Sequence, residues 1–73
     1  MPNDFLKLIG NRIRSLRLSA GMTQKELGEL CGVDGSAIRR YESGRGNPTC
    51  KSLFVLAHAL GCNLRDIIPD MRP

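Results

Sequence analysis

Seventy-three residues make one domain, near the lower limit at which a single apolar core folds without disulfide or metal staples. With 41% hydrophobic and 25% charged residues, the composition is that of a globular protein and excludes a disordered or membrane-embedded chain. Eleven Lys and Arg against seven Asp and Glu leave a net charge of +4, a balance that fits a polyanionic partner or, less specifically, a basic solvated surface. No apolar run approaches the roughly 20 residues of a membrane-spanning helix. The opening Met-Pro-Asn-Asp lacks the basic-then-apolar layout of a signal peptide. Three cysteines (Cys31, Cys50, Cys62) cannot all pair within one chain and form no C-x-x-C, so free thiols in a reducing cytoplasm are expected.

The first predicted helix runs from about Asp4 to Ser19, with Asn3 or Asp4 as cap and Gly21 as a left-handed stop. Phe5, Ile9, Ile13, Leu16 and Ala20 recur at three-to-four spacing and mark its buried face, widened by Leu6. Leu8 and Leu18 fall off that stripe and read as half-exposed. Thr23, three residues before Glu26, is a capping-box signature for a second helix over Gln24 to Cys31. Leu27, Leu30 and Cys31 supply its apolar side, and the mid-helix Gly28 points to a helix crossing close against it.

Gly32 and Val33 make a turn, and Asp34 sits at the N-cap of a third helix, about Gly35 to Ser43, anchored by Ala37, Ile38 and Tyr41 and stopped by Gly44. A Gly-rich loop with one cation, Arg45, follows. Thr49 caps a fourth helix, Cys50 to Leu60, whose inner face is Leu53, Leu56, Ala57 and Leu60 with Phe54 beside them. Asn63 and Asp66 open a last short helix carrying Leu64, Ile67 and Ile68 before Pro69. The expectation is an all-α fold, a compact bundle of five helices without a strand, and the single domain occupies residues 1–73.

The blocks Gly10-x-Arg12-Ile13-Arg14-x-Leu16-Arg17, Gly21-Met22-Thr23-Gln24-x-Glu26-Leu27, Ile38-x-Arg40-Tyr41-Glu42-x-Gly44, Asn47-Pro48-Thr49 and Leu56-Ala57-x-Ala59-Leu60-Gly61 occur in order across about residues 9–68. Together they resemble the phage repressor and Cro-type (Xre family) helix-turn-helix regulators. The resemblance implies a lambda repressor-like DNA-binding domain, its helix-turn-helix at residues 23–43, whose second helix enters the major groove. Positions opposite Ile38 and Tyr41 and near that helix's N-terminus are Gly35, Ser36, Arg39 and Arg40. By resemblance the base contacts fall on Gly35, Ser36 and Arg40. Arg40 suits direct readout, because a guanidinium donates bidentately to guanine. Gly35 departs from the long polar side chain of many relatives; it implies either fewer base contacts or a close approach to phosphate.

Gln24, at a helix N-terminus where free N–H groups and the dipole favour an anion, is a phosphate candidate. Arg39, Arg45, Asn47 and Thr49 are candidates for further phosphate contacts. Arg17 and Glu42 match a structural pair of the family, bridging the first helix to the end of the third. Cys31, Cys50, His58 and Cys62 could ligate zinc, but their spacings match no zinc module and buried Cys commonly packs as a small hydrophobe, so no metal is expected. One histidine, no phosphate loop and no nucleophile–base set argue against an enzyme, and neither a cofactor nor a small-molecule effector is indicated.

One reading helix buries too little surface for tight specific binding, so a homodimer on a pseudo-palindromic double-stranded DNA operator is expected. Of the apolar C-terminal residues, Leu64 and Ile67 are assigned to the core and Ile68 and Met71 to the dimer interface. Among relatives, small autoregulators (restriction–modification controllers, antitoxins, compact phage or plasmid repressors) fit such a domain. The alternative is a protein-interaction module of the same fold that no longer binds DNA, favoured by Gly35 alone.

Overall fold

A computed structural model describes residues 2–68. Five helices follow one another, α1 (Pro2–Ser19), α2 (Gln24–Cys31), α3 (Gly35–Glu42), α4 (Cys50–Leu60) and α5 (Leu64–Ile67), with no strand among the described residues. No helix among them is long and apolar enough to cross a membrane. α1 begins two residues before its expected start. Proline is well suited to a first helical position because the donor it lacks would be unpaired there anyway, so Asp4 lies in the first turn rather than at a cap.

The core is made of Ile9, Ile13, Leu27, Ile38, Leu53, Leu56, Ala57 and Ile67, drawn from all five helices. Ile13, Leu27, Ile38 and Ile67 are completely shielded from solvent. The capping box at α2 forms as its sequence requires: Thr23 Oγ accepts the Glu26 N–H at 3.0 Å and Glu26 Oε1 accepts the Thr23 N–H at 2.8 Å. Gly32 closes α2 in the left-handed region at φ 75°, letting the chain reverse into α3 within two residues. Asp34 occupies the α3 N-cap position but makes no side-chain bond there.

Four apolar assignments fail. Leu30 is 63% exposed, Phe54 65% and Leu64 38%, and Ala20 is also exposed. Leu30, Phe54 and Leu64 lie on helix flanks whose inner-face neighbours already fill the contact with the bundle, and Ala20 lies one residue past the end of α1. Leu8 and Leu18 stay half-exposed, at 43% and 55%, as their off-stripe positions require.

What holds α3 in place is backbone packed directly on backbone. A Cβ on Gly10 of α1 would overlap the Tyr41 carbonyl oxygen and come within 2.6 Å of the Glu42 carbonyl oxygen. A Cβ on Gly28 would come within 2.6 Å of the Val33 carbonyl oxygen and 3.1 Å of the Gly35 nitrogen. The close neighbour of Gly28 is therefore the turn and the start of α3, not a crossing helix. Backbone atoms cannot swing aside as side-chain tips do, so Gly10→Ala should lower stability by roughly 1–3 kcal/mol in chemical denaturation. Leu30→Ser on the open flank should stay within about 0.5 kcal/mol of the parent; equal midpoints for both variants would mean that α1 does not clamp α3.

Candidate nucleic-acid interface

The exposed side of α3 and the loop behind it gather one chemistry. Ser36, Arg39, Arg40, Ser43 and Arg45 line a shared shallow groove. Ser36, Arg39 and Arg40 are exposed on α3 because Ile38 and the half-buried Ala37 and Tyr41 occupy its inner side. Arg45 joins them through the loop: the Arg40 carbonyl accepts the N–H groups of Arg45 and Gly46 and the Ser43 hydroxyl, each at 3.0 Å. Gly46 is buried, and a Cβ there would strike the Tyr41 ring at 2.6 Å. Among the described residues, none of these three guanidiniums has a carboxylate within ion-pair distance.

Other candidates lie elsewhere. Asn47 is exposed but lines a separate apolar groove with Phe5, Leu6, Ile9, Pro48, Cys50, Leu53 and Ile68. The Thr49 hydroxyl is engaged locally, accepting the Ser52 N–H and donating to Ser52 Oγ, both at 3.0 Å. Ile68 is half-buried against the core, and Met71 lies outside the described residues. Gly35 gains a reason that sequence reasoning missed. A Cβ on it would sit 3.2 Å from Lys25 Cα and 3.3 Å from Lys25 N, so the position serves the packing of α3 on α2.

Behind the groove lies a buried ion pair. Arg17 and Glu42, each 7% exposed, join through Nε to Oε2 at 2.6 Å and a second guanidinium nitrogen to Oε1 at 3.1 Å. The remaining guanidinium nitrogen donates to the Met22 carbonyl at 2.9 Å, and the Gln24 amide donates to Glu42 Oε1 at 3.1 Å. The bonds to Glu42 raise the Arg17 pKa further, against the lowering effect of burial. A folded-state pKa raised in this way contributes stability below the unfolded value and loses it only at extreme alkaline pH, so Arg17 stays cationic across the neutral range.

The thiols of Cys31 and Cys62 are pushed up by burial, with Asp66 adding to the shift at Cys62. No three of His, Cys, Asp and Glu converge as a metal cage among the described residues.

Comparison with known proteins identifies the family and the fold. A family profile described as helix-turn-helix matches residues 13–67. The chain belongs to the helix-turn-helix family of phage repressor and Xre-type transcriptional regulators. It is 35% identical over 65 residues to an uncharacterised helix-turn-helix regulator, y4dJ of Sinorhizobium fredii, covering 89% of this chain and 84% of that one. Its fold superposes on the restriction–modification controller C.AhdI from Aeromonas hydrophila with a TM-score of 0.83 at 33% identity, covering 86% and 96% of the two chains. It also superposes on the c2 repressor of Salmonella phage P22 bound to a synthetic operator, with a TM-score of 0.78 at 33% identity, covering 84% and 92%.

In this regulator the helix-turn-helix is α2 and α3, and the buried pair ties α1 to the end of α3. Removing one partner strands the other charge. Glu42→Ala should therefore cost roughly 3–5 kcal/mol, whereas replacing both partners by apolar residues, Arg17→Met with Glu42→Leu, should cost less than the single change. Urea denaturation of the three proteins checks the order; a double variant weaker than Glu42→Ala would contradict it.

Proposed function

We propose that the regulator reads double-stranded DNA with α3 and acts in the cytoplasm as a homodimer on a pseudo-palindromic operator. The observation that carries this is the groove of Ser36, Arg39, Arg40, Ser43 and Arg45, three cations without an acidic partner among the described residues, on the exposed face of the second helix. Arg40 and Ser36 are the base contacts, with Arg40 donating to guanine O6 and N7 in the major groove. The Gly35 main chain approaches the same base edges. Arg39 and Arg45 flank them on phosphate. The free N–H groups at the start of α2, with Gln24, take a second phosphate, since the first amides of a helix have no internal partner. Asn47 and Thr49 extend the backbone contact on the far side of the loop.

Pairing of two such domains sets two reading helices about one helical turn of DNA apart. Ile68 and Met71 are the surface assigned to it. The operator-bound P22 c2 repressor, of whose full length this chain covers 26%, and the C.AhdI controller, covered to 96%, support this reading. A protein-binding module without DNA affinity was favoured by Gly35 alone, and that glycine has a packing reason against Lys25.

Selection of duplexes from a random pool should recover a two-fold symmetric site, bound by a species of twice the chain mass. Affinity should fall steeply with salt, by about 0.9 logarithmic units per phosphate contact per tenfold rise. Arg40→Ala should cost roughly 1–3 kcal/mol and relax preference at a single base pair of each half-site. Equal loss on selected and random duplexes would reduce Arg40 to a phosphate contact, and no duplex binding at low salt would refute the reading altogether.

A further inference from the structure

α2 begins against both ends of the reading helix. At the start of α3, Gly35 lies against the backbone of Gln24 and Lys25, where an added Cβ would sit 3.2 Å from Lys25 Cα and 3.5 Å from the Gln24 carbonyl carbon. At the other end of this eight-residue helix, the half-buried Gln24 amide donates to Glu42 Oε1 at 3.1 Å. That oxygen also accepts from Arg17, whose third nitrogen is spent on Met22 just upstream of α2. The geometry points to Gln24 as a positioning residue that sets the placement of α3 through Glu42.

The chemistry suits that task. A carboxylate has about four lone-pair sites, and Arg17 occupies one on each oxygen of Glu42, leaving Oε1 room for a third donor. A neutral amide fills it without upsetting the charge balance of the pair. A lysine there would add an uncompensated cation and a carboxylate would repel Glu42. The amide has a second N–H, and the main-chain N–H groups of Gln24 and Lys25, the first donors of α2, have no partner among the described residues. A phosphate held at that terminus therefore lies one residue from the bond that fixes the end of α3. Backbone contact and base reading share an anchor, which makes the pose of α3 depend on Gln24 even where Gln24 touches no base.

This rests on the DNA-reading assignment above, and the test separates the two. Gln24→Ala and Gln24→Asn remove the bond to Glu42, the second keeping a shorter amide near the phosphate. Both keep the N-terminal amides of α2. Two duplexes serve as probes: the tightest site recovered by the parent protein from a random pool, and a scrambled duplex of the same composition. Both variants should lower the ratio of affinities for the selected over the scrambled duplex about tenfold, the scale of one hydrogen bond to a charged group, with the salt slope unchanged.

In the DNA-free proteins, the Arg17 Nε–H resonance should shift and exchange faster with solvent. Equal weakening on both duplexes would make Gln24 a phosphate contact only and overturn the inference; because its amide is neutral and releases no counterion, the salt slope stays the same in either case. An unmoved Arg17 resonance would overturn it too. A parent protein that does not distinguish the two duplexes would bring down the DNA-reading assignment, and this inference with it.

Discussion

The buried bond between Arg17 and Glu42 reaches across 25 residues of sequence and ties the end of α3 to α1. Taking two charges out of water is costly, and their attraction repays the cost only when the geometry is close to ideal. Here the guanidinium is met on two nitrogens by one carboxylate and on the third by a main-chain carbonyl, so no buried side-chain polar atom is left without a partner among the described residues. Any displacement of α3 relative to α1 would leave one of these groups unpaired in a nonpolar setting. The pair thus acts less as a source of net stability than as a rule about which arrangements are permitted. Glycines make the rule stricter: with Gly10 and Gly28 pressed on α3 and its turn, the helix has backbone rather than soft side chains on two sides.

Arrangement of charge follows from the same construction. Arg17 is neutralised inside, whereas Arg39, Arg40 and Arg45 are left facing water together. Two of the three come from α3 and one from a loop, and only the hydrogen bonds returning to the Arg40 carbonyl bring the loop cation alongside. A field of one sign concentrated on one face steers a polyanion to that face, which a modest net charge alone would not do.

Much of this was legible in the amino-acid order because it is written in local chemistry. Thr23 with Glu26, Gly32 and Gly61 mark helix ends through bonds made within a few residues, and the period of Ile9, Ile13 and Leu16 marks an inner face. The exposure of Leu30 and Phe54 was not legible, since both are apolar beside true core positions and only the packed neighbours decide which flank is covered. In sequence, Gly28 points to a crossing helix and Gly35 to phosphate or to fewer base contacts; their actual neighbours, the turn backbone for one and Lys25 for the other, are tertiary. Gln24 could be placed at a helix start from its surroundings, yet its bond to Glu42, 18 residues away, depends on how two helices meet. The family blocks were sufficient for the fold and for the pairing of Arg17 with Glu42 to be expected; they carried no information about the amide that joins that pair.

The carbonyl of Arg40 anchors the loop behind α3. Three donors converge on it, two of them main-chain amides from the loop, so the backbone under this side chain is already immobile in the free protein. Ordering a residue's backbone on association costs roughly 1–2 kcal/mol, and here that entropy has been surrendered during folding. What remains to be lost when the guanidinium engages a partner is side-chain rotamer freedom, of order 2 kcal/mol for a fully mobile arginine. On the proposed assignment, Arg40 mounted this way spends its contact energy on discrimination rather than on organising the chain that carries it.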